Sequence, residues 1–101
     1  MSENGVIRVV IPTPLRQYTG GQAQVAGQGS TIAELIADLD ARFPGLKARI
    51  CEPDGEIRRF VNVFVNGENV RKGQGAATPL KPGDEVGIIP AMAGGTARWQ
   101  R

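Results

Sequence analysis

The chain predicts a small α+β roll in which a mixed four- to five-stranded sheet packs on one main helix. Three observations carry that expectation. With 101 residues, 41% of them hydrophobic, the chain suits a single domain. Surface scaling lets about 10,000 Å² be buried on folding, enough for one real core. The segments also alternate in period: two strand patterns, one strong helix pattern, then further strand patterns. A single amphipathic helix must be buried by one face of one sheet, which leaves the other face to solvent.

The first strand is Gly5-Val-Ile-Arg-Val-Val-Ile11, apolar and β-branched. Pro12, Pro14 and Gly20-Gly21 mark a turn-rich loop. A weaker second strand is expected over 22–26, forming a hairpin with the first and ended by Gly27 to Gly29. Thr31 and Glu34 have the spacing of a capping box, in which hydroxyl and carboxylate satisfy free N–H groups of a first helical turn. Ile32, Leu35, Ile36, Leu39 and Phe43 then fall on one helical stripe about 100° wide. Asp38 and Arg42 make an i, i+4 pair on the wet side. Pro44-Gly45 stops the helix.

A short helical turn is expected over 46–50 and a turn at Glu52-Pro-Asp-Gly55. Residues 60–65 read as a strong strand. Asn66-Gly67 after it is a strong hairpin signal, and 68–70 is a short return strand. A loop over 73–82 ends in the turn Lys81-Pro-Gly-Asp84. Glu85–Pro90 is the last strand. Residues 1–90 form the domain, 91–95 a small, glycine-rich tail, and 96–101 a polar extension.

Composition removes much chemistry. There is no histidine and only one cysteine, Cys51. That excludes a Ser-His or Cys-His nucleophile pair, an imidazole metal ligand, a disulfide, a zinc knuckle and an iron–sulfur cluster. No catalytic residue and no metal ligand is assigned. Lys and Arg number 12 against 10 Asp and Glu, and two of the twelve, Arg98 and Arg101, lie in the extension. The body is therefore balanced at ten against ten and is not a nucleic-acid binder. The opening Met1-Ser2-Glu3-Asn4-Gly5 lacks a basic start, and the apolar run after it is too short for a leader or a membrane span. A cytoplasmic protein is expected.

The run Val86-Gly-Ile-Ile-Pro-Ala-Met-Ala-Gly-Gly95 follows Phe60-Val-Asn-Val-Phe-Val-Asn-Gly67 and Leu80-Lys-Pro-Gly-Asp84. With them the chain resembles the ThiS/MoaD family of ubiquitin-like sulfur carriers, whose fold is the β-grasp roll. The resemblance covers about residues 5–95. Ile11-Pro-Thr-Pro-Leu-Arg-Gln-Tyr-Thr-Gly-Gly-Gln22 and Arg59-Phe-Val-Asn-Val-Phe-Val-Asn66 look closest to the carriers that feed actinobacterial cysteine synthase.

The resemblance implies a carrier, not an enzyme, that needs no cofactor of its own. An E1-like enzyme adenylates the terminal glycine carboxylate, and a sulfur donor converts it to a thiocarboxylate. That glycine corresponds to Gly95. Gly94 and Ala93 belong to the slim tail that threads the partner's channel, where the absence of a Cβ lets backbone approach closely. Here Gly95 is followed by Thr96, so cleavage between Gly95 and Thr96 is expected, by a metalloprotease of the JAMM type. The implied acceptor is a sulfur-accepting synthase: cysteine synthase first, with the molybdopterin and thiamine pathways as alternatives. A ubiquitin-like modifier forming isopeptide bonds, or a β-grasp binding module, are the other readings.

Strand alternation puts Val61, Val63 and Val65 on the core side and Phe60, Asn62 and Phe64 outside. Val86 and Ile88 then join the core, and Ile89 shares the outer face with Phe64. An apolar patch there points to docking of the activating enzyme through Phe64 and Ile89, with Phe60 as a lesser member. Arg58, Arg59, Arg71 and Lys72 read as solvated charges, and Cys51 as a small core residue.

Overall fold

The computed structural model describes residues 6–90. Its five strands are β1 (Val6–Val10), β2 (Gln24–Gln28), β3 (Val61–Val65), β4 (Glu68–Asn69) and β5 (Glu85–Pro90). Two helices, α1 (Ile32–Arg42) and α2 (Leu46–Ile50), lie between β2 and β3. One mixed sheet has the order β2-β1-β5-β3-β4. β1 and β5 run parallel in its centre, and every other pairing is antiparallel. This is the expected roll, with five strands.

Helix α1 forms where the sequence places it. Thr31 is extended (φ −140°, ψ 167°) and its hydroxyl accepts from the Glu34 N–H. The reciprocal half differs from an ideal capping box: the Glu34 carboxylate accepts from Ser30 N–H at 2.8 Å, one residue earlier. Ile32, Leu35, Ile36 and Leu39 are buried. Each contributes about 1.5–3 kcal/mol by leaving water. Phe43 caps the helix and packs, partly buried, at the core's edge. They meet Ile7 and Val9 of β1, Val61 and Val63 of β3, and Val86 and Ile88 of β5, all buried in the same core cluster. Val65 reaches it only in part, because it ends its strand at the hairpin.

Several boundaries moved. The second strand begins two residues later than expected and runs through Gly27. Gly27 does not end it; it lets α1 approach, since a Cβ there would stand 2.6 Å from Leu35 Cδ1. The first loop holds a 3-10 turn, Thr13–Tyr18, that buries Leu15. Residue 60 lies outside β3, because a turn closes just before the strand, Val61 N–H donating to Arg58 C=O at 3.0 Å. The return strand is only two residues long; Val70 starts a 3-10 turn. Asn66 and Gly67 take positive φ (51° and 90°), the type of turn that suits the right-handed twist of a hairpin.

Candidate functional site

The topology sets the end of β5 and the outer face of the sheet beside each other. β5 is a central strand: Glu85–Gly87 pair with β1, Val86–Pro90 pair with β3, and its last residue Pro90 stands opposite Val61 at the start of β3. Pro90, the last described residue, thus lies next to the turn that carries Phe60. The sequence-predicted tail residues Ala93, Gly94, Gly95 and Thr96 lie outside the described residues.

The outer face of the sheet carries the second feature. Asn62 pairs with Ile89 and Phe64 with Gly87, while Val10 pairs with Gly87 from the other side. Phe64 and Val10 thus flank a position with no side chain, and a Cβ at Gly87 would meet nothing within 4 Å. Ile89, diagonal to Phe64, is 47% exposed, and Phe60, in the turn before β3, is 64% exposed. Phe64 itself is half-buried. Phe64 and Ile89 share the outer face of the sheet, Phe60 lies in the turn just before β3, and Phe60 and Ile89 present more surface than Phe64.

Two of the four basic residues beside this face are structural, which corrects their reading as solvated charges. Arg71 turns its guanidinium onto the backbone before β3: one nitrogen donates to the carbonyls of Arg58 (2.6 Å), Arg59 (2.9 Å) and Val61 (2.7 Å). Arg58 donates to Ala48 C=O at 2.9 Å and pairs with Glu52 at 3.1 Å. Together they hold the turn that displays Phe60, over whose ring Arg59 lies at 5.6 Å. Nothing in the spacing of Arg71 announces this, since its acceptors are backbone carbonyls ten to thirteen residues away.

The start of β5 is fixed by a carboxylate that the turn signal at 81–84 located without revealing its role. Asp84 is buried and accepts from Lys81 N–H at 2.8 Å and from the Asn66 side-chain amide at 3.1 Å. The Lys81 backbone donor, then the Asn66 amide, favour the ionised form over the opposing cost of burial, and hold Asp84 below its ordinary pKa. Asn66 in turn accepts from Glu85 N–H at 3.0 Å, tying the β3–β4 hairpin to β5. Cys51 is buried, and burial pushes its thiol pKa up. Such a thiol is a poor nucleophile at neutral pH. Among the described residues no group of three or more Asp, Glu or Cys side chains is placed to hold a metal ion. No helix among them is long and apolar enough to cross a membrane.

This framework matches known proteins closely. The ThiS family model matches residues 9–95. The chain is 46% identical over 91 residues to the sulfur carrier protein CysO of Mycobacterium tuberculosis, covering 88% of this chain and 98% of that protein. Among solved structures it matches the crystal structure of the Amycolatopsis orientalis BexX/CysO complex. The TM-score is 0.84 at 44% identity, over 88% of this chain and 99% of that one. It also matches the solution structure of small archaeal modifier protein 1 of Methanosarcina acetivorans, with a TM-score of 0.78 at 28% identity, over 91% and 98% of the two chains. These relatives are small ubiquitin-like proteins, and the chain has their architecture along nearly its whole length. The chain belongs to the ThiS family: it is a ubiquitin-like β-grasp protein of the sulfur-carrier kind, a carrier rather than a catalyst.

Proposed function

We propose that Gly95 is the sulfur-bearing residue and that it becomes so in three steps. A protease of the JAMM type removes residues 96–101 by hydrolysing the Gly95–Thr96 peptide bond. An E1-like enzyme then joins the freed carboxylate to the α-phosphate of ATP, releasing pyrophosphate. Hydrosulfide then attacks the acyl carbon, its C–S bond replacing the bond to AMP, and AMP leaves as the thiocarboxylate forms. A sulfur-accepting synthase takes the sulfur, and the resemblance to a carrier named CysO favours a cysteine synthase. On this reading residues 1–90 are the body, 91–95 the threading tail and 96–101 the removable extension.

The observation that carries the reading is the position of β5. A central strand ends at Pro90, and five further residues reach about 17 Å when extended. That is long enough for Gly95 to enter a partner's active site while the body stays outside. Ala93 and Gly94 keep the approach slim. The carrier itself needs no acid, base or nucleophile, in keeping with a chain that has no histidine and buries its one cysteine.

Docking of the activating enzyme on the outer face, through Ile89, Phe60 and Phe64, belongs to the same proposal. Its support is the exposure of Ile89 and Phe60 and the empty space above Gly87. A second reading, isopeptide attachment to other proteins through the same Gly95, is favoured by the likeness to small archaeal modifier protein 1. Intact-mass analysis of chains ending at Gly95, after reaction with the activating enzyme, ATP and sulfide, separates the two. A thiocarboxylate appears as an oxygen-to-sulfur mass increase on the carrier, whereas a modifier appears as an adduct on lysines of a second protein.

A further inference from the structure

The two edges of the sheet are unequal. β4 is two residues long, whereas β2 offers five, Gln-Val-Ala-Gly-Gln. An exposed strand of that length invites pairing with another strand unless charges, proline or a bulge prevent it. β2 has no charge and no proline.

Its outward backbone groups are instead held by the helix. Ala23 C=O points toward β1, accepting from Ile11 N–H, so alternation turns Gln24, Ala26 and Gln28 away from β1. On that outward side Arg42 donates to Ala26 C=O at 2.6 Å, and Asp38 accepts from Gln28 N–H at 3.1 Å. The two side chains also bond to each other at 2.9 Å. Asp38 and Arg42 thus satisfy two of the edge's hydrogen-bonding groups and stand where a further strand would lie. A plain i, i+4 pair needs no backbone partner, so the helix surface alone does not account for this arrangement. The close approach of α1 over Gly27 brings both side chains within reach.

We propose that Asp38 and Arg42 form a latch that closes the β2 edge to strand addition, and that the strand it excludes is β2 of a second copy. Two β2 strands can pair antiparallel about Ala26, setting Gln24 of each opposite Gln28 of the other. All the facing side chains would be uncharged and the central pair would be small, so nothing in the strand itself opposes self-pairing.

The test is the double variant D38A/R42A of the full chain. It removes one charge of each sign, so net charge and colloidal repulsion are unchanged. Light scattering coupled to size exclusion should show the parent as a monomer and the variant as a dimer at high concentration. Hydrogen exchange at the Gln28 amide should be compared in dilute monomeric samples, where the variant should exchange about tenfold faster, as loss of a charge-assisted bond implies. Adding Ala26→Lys to the variant should restore the monomer. Should the double variant melt at the working temperature, Arg42→Ala alone frees the Ala26 carbonyl and should still give the dimer, while exchange at the Gln28 amide stays as in the parent because Asp38 continues to accept from it. A parent that already dimerises through β2, a variant that stays monomeric, or a dimer untouched by Ala26→Lys would each overturn the proposal.

Discussion

Asp84 shows how one buried carboxylate ties two strands together. Its partners, the Lys81 N–H and the Asn66 amide, favour the ionised form and hold its pKa below the ordinary 3.8. The unfolded chain therefore takes up the proton first. The stabilisation from Asp84 is fully present above that ordinary value and is lost as pH falls through it toward the lower folded value. Asp84→Asn should melt earlier than the parent at neutral pH, and the gap should narrow between about pH 5 and pH 2. Melting curves that stay parallel over that range would show that Asp84 stabilises nothing through its charge. Ile89→Ala and Phe60→Ala should lower the melting temperature only slightly, since Ile89 is about half exposed and Phe60 more so. Each should weaken binding to the activating enzyme by about 1–3 kcal/mol, as for an apolar anchor. Phe64→Ala should lower both, being half-buried. Calorimetry with unchanged affinities would remove this face from the docking site. Side-chain direction in β3 and β5 was legible from alternation alone, and so was the burial of Cys51. The turn that displays Phe60 was not, because Arg71 and Arg58 hold it through contacts between residues far apart in sequence.

At the scale of elements, α1 carries the fold. Leu39 is fully buried, so Leu39→Asp would bury an unpaired charge against the sheet. The cost should be about 4 kcal/mol or more, a large part of the stability of a domain this size. Loss of the cooperative melt is the expected result, and a melt unchanged by the substitution would contradict the packing of α1. This helix was readable because its period, its cap and its stop all agree. The Asn66-Gly67 hairpin was readable for the same reason: its φ values demand those residue types. β2 was misplaced by two residues because Gly27 resembles a strand end, when the glycine instead answers the helix packed on it. The 3-10 turn at Thr13–Tyr18 was hidden by its prolines, which signal a turn without saying that Leu15 will be buried by it.

For the whole molecule, the parallel pairing of β1 with β5 puts the last described strand in the centre of the sheet. That strand lies between the β1–β2 pair and the β3–β4 hairpin. The proposal that Gly95 bears the sulfur, with Ala93 and Gly94 before it, is the central claim. The direct measurement is intact mass after incubation with the activating enzyme, ATP and a sulfide source. It is made on a chain ending at Gly95 and on one retaining residues 96–101. The chain ending at Gly95 should gain the mass difference of sulfur for oxygen, and the longer chain should not. Gly95→Ala in the shorter chain should impair the gain, because a methyl then crowds the approach to the partner's nucleotide. A chain ending at Gly95 that never gains that mass with a competent cognate enzyme would contradict the assignment of Gly95 as the sulfur-bearing residue.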